Sequence, residues 1–309
     1  MIDNKIIAIV GPTAVGKTDY AIDTALEFNG EIVSCDSMQL YKYMDIGSAK
    51  PTKEEQSLVK HYLIDEIDPR ENFSVASYQV MAKKAIKDIF DKEKTPIIAG
   101  GTGLYLNSIL YDMDFSIKPQ DVSLRKALEE QAINYGPDYL YKKLVEKDPE
   151  SAQRIHPNNI KKVIRALEAA EYGKPIEDFK TCKKKCKDYT VQMVCLTRNR
   201  DELYDRINKR VDILVEKGLL DEVRNLLDMG LNEDDISMKG IGYKEIIGYF
   251  NNLYSLDEAI SLVKKNTRHY AKRQLTWFKR YEEMKWFNLS LYNTKDLALE
   301  DIFKWLKKM

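Results

Sequence analysis

The chain has 309 residues, 44% hydrophobic and 32% charged, with 49 basic side chains balancing 49 acidic ones, enough for one large domain or two modest ones around a buried core. No apolar stretch approaches the ~20 residues of a membrane span. The start, with Asp3 beside a short apolar run, lacks the charged leader and cleavage site of a signal peptide, so a globular, cytoplasmic protein with no membrane partner is expected.

Lys5-Ile6-Ile7-Ala8-Ile9-Val10 reads as a buried strand. Directly after it, Gly11-Pro12-Thr13-Ala14-Val15-Gly16-Lys17-Thr18 fits the G-x-x-x-x-G-K-[ST] pattern and runs into an amphipathic helix, 17 to 28. Glycines let this backbone turn tightly around oxygen atoms, loop amides and a helix N-terminus point at the anion, and Lys17 adds a positive charge. Thr18 is placed to offer its hydroxyl to Mg²⁺. Nucleoside triphosphates are the usual ligands of such a loop, yet any ester whose leaving group is pyrophosphate fits it equally.

A second strand, Glu31 to Cys35, leads into Asp36-Ser37-Met38-Gln39. A carboxylate at a strand edge beside a phosphate loop is where a general base or metal partner belongs, although Asp36 would also serve as a cap on the following turn. Gln39 carries both a donor and an acceptor, as a base edge such as adenine requires. A helix from Ser74 to Glu93, a strand from Thr95 to Ala99, the turn Gly100-Gly101-Thr102-Gly103 and a helix from about Thr102 complete the rhythm. Alternation of this kind predicts βαβ units with a parallel sheet, and ligands lie beyond the carboxyl ends of such strands. Three loops should therefore converge on one site, with glycines in the third allowing a ligand close to backbone.

From 115 to 188 the pattern changes to helices with polar linkers at Lys118-Pro119, Gly136-Pro137, Asp148-Pro149, His156-Pro157 and Lys174-Pro175. An inserted helical subdomain is expected there, with 1–114 and 189–309 forming the core. It carries basic clusters at Lys161, Lys162 and Arg165 and from Lys180 to Lys187. Cysteines 35, 182, 186 and 195 fit reduced intracellular thiols. Cys182 and Cys186 have the spacing of a zinc ligand pair, but no second pair exists and His61, His156 and His269 are scattered.

Val191 to Leu196 predicts a strand returning to the sheet, followed by helices over Asp201 to Met229, Tyr243 to Phe250 and Leu256 to Tyr281, a short strand around Trp286 and a helix from Asp296. Between Glu258 and Glu282 no acidic residue occurs, whereas Lys264, Lys265, Arg268, Lys272, Arg273, Lys279 and Arg280 do. Lys265, Arg268, Lys272 and Lys279 recur at helical spacing on one face, a footprint for a phosphate backbone in an otherwise neutral chain. Trp277 and Phe278 are expected to pack inward.

Taken in order, the phosphate loop, Asp36-Ser37-Met38-Gln39-Leu40-Tyr41, Gly47-Ser48-Ala49-Lys50-Pro51, Gly100-Gly101-Thr102-Gly103-Leu104-Tyr105, Arg165-Ala166-Leu167-Glu168, Gly242-Tyr243-Lys244-Glu245 and Asn266-Thr267-Arg268 through Lys272-Arg273-Gln274-Leu275-Thr276-Trp277-Phe278 resemble the tRNA dimethylallyltransferases over nearly the whole chain. The resemblance implies a P-loop NTPase-like α/β core plus an all-helical insertion. It also implies transfer of a dimethylallyl group from dimethylallyl diphosphate to N6 of the adenosine 3′ of the anticodon, releasing pyrophosphate. Its partners would be the tRNA anticodon stem-loop, dimethylallyl diphosphate and Mg²⁺ on Thr18, with a monomer as the expected working state.

Carried over by motif, the resemblance makes Gly11 to Thr18 the pyrophosphate loop, Asp36 the general base and Thr102 a contact to the flipped adenosine or its sugar-phosphate. It puts Lys17 and Arg206, the latter in Leu203-Tyr204-Asp205-Arg206-Ile207, beside the pyrophosphate. tRNA contacts map onto Asp36, Ser37, Met38, Gln39, Thr102, Arg125, Lys161, Lys162, Arg165, Arg273 and Gln274. Lys161-Lys162 departs from the family's usual Gln-Arg but keeps the charge. The chain ends in Lys307-Lys308-Met309 without the zinc finger of eukaryotic relatives, as expected of a bacterial-type enzyme. An adenylate isopentenyltransferase would run the same chemistry on free AMP, and a small-molecule P-loop kinase would share the cradle, but neither needs the basic surfaces. A non-catalytic RNA-binding module would leave Asp36 and the phosphate loop without a use.

Overall fold

The computed structural model describes residues 4–111, 113, 122–172 and 185–308. Six strands, β1 (Lys5–Val10), β2 (Gly30–Cys35), β3 (His61–Tyr62), β4 (Thr95–Gly100), β5 (Thr190–Thr197) and β6 (Lys285–Asn288), form one sheet in the order β3-β2-β4-β1-β5-β6. Every pairing is parallel, as the βαβ rhythm predicts. Strand β1 lies at the centre of this arrangement, and Ile6 through Val10 are at most 1% exposed. Burial on both faces is why these residues form an unbroken apolar run instead of alternating with polar ones. Each isoleucine so enclosed contributes about 1.5–3 kcal/mol relative to exposure.

The helices are α1 (Lys17–Glu27), α2 (Lys53–Leu58), α3 (Val75–Phe90), α4 (Gly103–Leu110), α5 (Val122–Tyr135), α6 (Pro137–Lys147), α7 (Pro149–Arg154), α8 (Ile160–Glu171), α9 (Arg200–Glu216), α10 (Leu219–Asp228), α11 (Tyr243–Phe250), α12 (Leu256–Phe278) and α13 (Lys295–Leu306). The chain separates into two compact units, Met1–Leu110 with Cys186–Met309, and Tyr111–Lys185. In the first, α1 and α13 close over the sheet through Tyr20, Ile22, Ile302 and Leu306, while α10 and α11 share a separate core with Leu219, Val223, Tyr243 and Ile246.

The second unit packs α5, α6, α7 and α8 around Leu128, Leu140, Leu144, Val163 and Leu167. Pro137 and Pro149 open their helices at the first position, where a missing N–H costs nothing. Asn159 caps α8 by accepting from the Lys162 amide.

The single helix expected over Asp201 to Met229 is two. Gly218 adopts φ 98°, a left-handed conformation that ends α9 and starts α10 in a new direction. α2 and β3 were absent from the sequence reading because both are too short for periodicity to register. A capping box formed by Thr52 and Glu55 starts α2. Phe278 is fully buried and Trp277 half-buried. Lys118-Pro119, Lys174-Pro175, Cys182 and the Lys180 to Lys184 part of the basic run lie outside the described residues. Cys35, Cys186 and Cys195 are buried free thiols.

Candidate active site at the carboxyl edge of the sheet

Val10 and Cys35 both pair with Gly100, so β1, β2 and β4 end at one level. Their following loops converge on a cleft of about 510 Å³ within the first unit, lined by Thr13, Lys17, Thr18, Asp36, Gln39, Arg206, Arg210 and Tyr270 among others. Gly16 holds φ 107° at the start of α1, no side chain among the described residues caps that helix, and its first residues line the cleft. Such a helix start favours an anion.

Lys17 folds back over the loop and donates to the Pro12 carbonyl at 2.9 Å. Loss of water around its ammonium group lowers its pKa to about 8, an effect partly offset by Asp36 and reinforced by Arg210. Arg206 grips the same loop through Nε to the Ala14 carbonyl at 2.9 Å, and Arg198 through Nε to the Val15 carbonyl at 3.2 Å. Arg210, one turn beyond Arg206 on α9, is pushed below the usual guanidinium range by burial, against the pull of Asp36. The sequence reading singled out Arg206 alone. The i,i+4 spacing of the two arginines was the available signal.

Asp36 takes the cap role considered for it and keeps its other oxygen free. Its Oδ1 accepts from the Met38 amide at 2.9 Å, forming the turn cap, while Oδ2 takes no hydrogen bond among the described residues, and the residue lines the cleft. Thr102 joins the second and third loops, since its amide donates to the Cys35 carbonyl at 3.0 Å and its hydroxyl accepts from the Ser37 amide at 3.1 Å. Tyr270, on α12, lines the same cleft. Gln39, expected at a base edge, has its amide engaged internally: Oε1 accepts from Ser34 and Nε2 reaches the Ala49 carbonyl. Burial raises the Cys35 thiol to about 12, so this cysteine beside Asp36 is no nucleophile.

Ser48 to Thr52 also line the cleft, and Ala49, Pro51, Ile213 and Leu214 give its lining apolar surface. Buried Glu222 of α10 fixes this segment by accepting from the amides of Asp45, Ile46 and Gly47 at 2.7, 2.7 and 2.9 Å and from the Tyr243 hydroxyl at 2.8 Å. Lys50 ties the other end, donating to the Tyr41 carbonyl and Asp45, both at 2.6 Å. The sequence reading missed Glu222, whose backbone partners lie about 175 residues away. Glu222→Gln, which must turn a donor toward at least one of those donors, is expected to cost about 2–3 kcal/mol. A lower midpoint in thermal denaturation is the expected readout.

The third loop departs from expectation. A Cβ on Gly101 would lie 2.2 Å from Gln274 Nε2, and one on Gly103 would lie 2.2 Å from Trp277 Cδ1. These glycines admit α12, which occupies the close approach that the sequence reading reserved for a ligand.

On α12 itself, Lys265, Lys272 and Arg273 are exposed, as are Lys279 and Arg280 just beyond its end. Two of the expected cations are engaged elsewhere: Lys264 pairs with Asp212 at 2.6 Å and Arg268 donates to Asn208 at 2.6 Å. Arg273 and Arg280 rest over the rings of Tyr270 and Trp277, at 5.6 and 4.6 Å from the centroids. In the inserted unit Lys161, Lys162 and Arg165 are exposed on α8. Arg125 there makes a two-pronged pair with buried Glu168, at 2.9 and 2.7 Å, which joins α5 to α8.

Among the described residues no cluster of three or more His, Cys, Asp or Glu side chains is arranged to hold a metal ion, and no helix is long and apolar enough to cross a membrane. The model of a family described as IPP transferase matches residues 39–281. The chain is 54% identical over 301 residues to the tRNA dimethylallyltransferase of Alkaliphilus oremlandii, covering 97% of this chain and 96% of that protein. It is 51% identical over 302 residues to the tRNA dimethylallyltransferase of Clostridioides difficile, covering 98% and 97%. Among solved structures it resembles the full-length tRNA isopentenylpyrophosphate transferase of Bacillus halodurans, with a TM-score of 0.75, 42% identity, and 99% and 96% of the two chains covered. A eukaryotic dimethylallyltransferase acting on tRNA matches with a TM-score of 0.83, 27% identity, and coverage of 98% of this chain and 80% of that one.

Proposed function

The chain belongs to the IPP transferase family, and from that premise we propose that its cleft transfers a dimethylallyl group from dimethylallyl diphosphate to N6 of the adenosine 3′-adjacent to the anticodon of tRNA. The observation that carries this reading is the meeting of an unclaimed Asp36 carboxylate oxygen and a cationic phosphate cradle in one cleft. The adenosine amine attacks the allylic carbon, a C–N bond forms, and the C–O bond to the diphosphate breaks with its electron pair leaving on pyrophosphate. Asp36 Oδ2 takes the proton released from N6.

Lys17, the loop amides, Arg206 and Arg210 hold the negative charge that develops on the leaving group, and donors already in place there need no rearrangement as the bond breaks. The apolar surface of Ala49, Pro51, Ile213 and Leu214 suits a short hydrocarbon chain. The site also fits Mg²⁺: the Thr18 hydroxyl lines the cleft and makes no hydrogen bond among the described residues, and this ion usually takes one or two protein oxygens beside phosphate and water. When bound there it would neutralise diphosphate charge.

The target base must leave the anticodon stack to reach this floor. Exposed Lys272 and Arg273 on α12, and Lys161, Lys162 and Arg165 on α8, offer surfaces for the loop's phosphates and splayed bases. Buried free thiols at Cys35, Cys186 and Cys195 suit a cytoplasmic setting.

Radiolabelled dimethylallyl diphosphate, incubated with Mg²⁺, the protein, and either an anticodon stem-loop carrying adenosine 3′ of the anticodon or free AMP, tests the proposal. Label is expected in the stem-loop. Label in AMP alone would overturn tRNA as the acceptor, and label in neither would overturn prenyl transfer.

A further inference from the structure

Tyr270, Gln274, Trp277 and Tyr281 succeed one another by four, three and four residues along α12 and just beyond it, so they form one stripe. The last three meet the turn after β4. Trp277 packs where a side chain on Gly103 would stand, and the Tyr281 hydroxyl contacts the Gly103 carbonyl and Asn107. Gln274 alone reaches further. Its Nε2 donates to the Gly101 carbonyl at 3.0 Å while its Oε1 accepts from the Thr13 amide at 2.9 Å. It is 5% exposed. One side-chain amide therefore joins the phosphate loop to the turn that carries Thr102, which in turn holds Ser37 beside Asp36.

Building on the proposed reaction, we infer that Gln274 is a positioning residue that sets the spacing between the bound diphosphate and the acceptor amine, and is not itself a contact to tRNA. Thr13 stands in the loop that holds the leaving group, and Gly101 precedes the residue that pins the general-base loop. An amide has a fixed distance between its donor and acceptor, so bridging them sets the gap within a few tenths of an ångström. Reaction requires the attacking nitrogen and allylic carbon at near-contact distance, and a misplacement of about 1 Å costs on the order of 10²-fold in rate. The sequence reading assigned Gln274 to tRNA, but both ends of its amide are already committed to backbone and the residue is buried. Its neighbours Lys272 and Arg273 are exposed on the same helix, which places the tRNA-facing surface and the spacer on one rigid element.

The test compares wild type, Gln274→Leu and Gly101→Ala in steady-state transfer to the stem-loop. Leu keeps much of the side chain's bulk without its hydrogen bonds, and Ala at 101, whose Cβ would clash with the far end of the glutamine and stand at ordinary contact distance, 3.4 Å, from the Gly11 carbonyl, displaces that amide while keeping it in the sequence. Both variants are expected to lower kcat about 10- to 100-fold, with KM for stem-loop and for diphosphate each within about threefold of wild type. A raised stem-loop KM at unchanged kcat would overturn the inference in favour of a direct tRNA contact, and wild-type kinetics would overturn it outright. Should Gln274→Leu fail to fold, Gly101→Ala decides. An inactive wild type would instead sink the prenyl-transfer reading, so the two failures are distinct.

Discussion

Asp36→Asn is expected to lower prenyl transfer about 10²- to 10⁴-fold, the usual size of a lost general base, while diphosphate binding stays near wild type. The asparagine can still accept from the Met38 amide through its carbonyl oxygen, so the turn after β2 survives. What disappears is the acceptor that would take the N6 proton. The phosphate loop is untouched and loses only the electrostatic support that Asp36 gives Lys17 and Arg210. Single-turnover transfer measured beside equilibrium binding of dimethylallyl diphosphate checks this. A variant with normal turnover would remove Asp36 from the chemistry and leave it as a cap.

Lys17→Met is expected to lower turnover steeply and, at pH 7, to stabilise the fold. Removing a preorganised cation from the leaving group typically costs about 10²- to 10³-fold. The stability gain follows from the depressed pKa. Lys17 titrates near 8 in the folded protein against 10.5 when free, so below pH 8 the folded state holds a charge that it would rather lose. Between pH 8 and 10.5 the unfolded chain binds the extra proton, and stability rises with pH across that window. Methionine removes the penalty and with it the slope, for a gain of about 1–2 kcal/mol at pH 7 once the side chain's partial exposure to cleft water is discounted. Thermal denaturation of both proteins from pH 7 to 10 checks the sign: the two midpoints should converge as pH rises. In the wild type, diphosphate binding to the free protein should weaken as pH passes above about 8, as Lys17 loses its proton.

How much of this was legible beforehand depended on distance along the chain. β1 with its phosphate loop, the strands over residues 31–35 and 95–99, and α11 were readable because an apolar run, a glycine pattern or a helical repeat sits inside one short window. The helical character of the inserted segment was readable from its prolines for the same reason. Gly218 was overlooked as a helix break because a lone glycine inside a periodic stretch is also tolerated, and only its φ of 98° shows which applies.

The site divided along the same line. Asp36 stood out by following a strand, and Arg206 by resemblance. Nothing local marked Arg210 as a partner of Asp36, or Glu222 as the anchor of a loop 175 residues earlier. The second glycine-rich turn was visible, but a sequence shows that backbone must be approached closely without showing by what. The occupant is α12, through a contact spanning 173 residues.

The sequence by itself determined the parallel sheet, the anion cradle and the presence of a carboxylate near it, because these follow from local periodicity and backbone geometry. Only the tertiary structure decided which cations face that carboxylate, which charges of α12 remain in solvent, and that Gln274 joins two loops, because such pairings are set by side chains that meet in the packed core and leave no trace in the spacing of neighbouring residues.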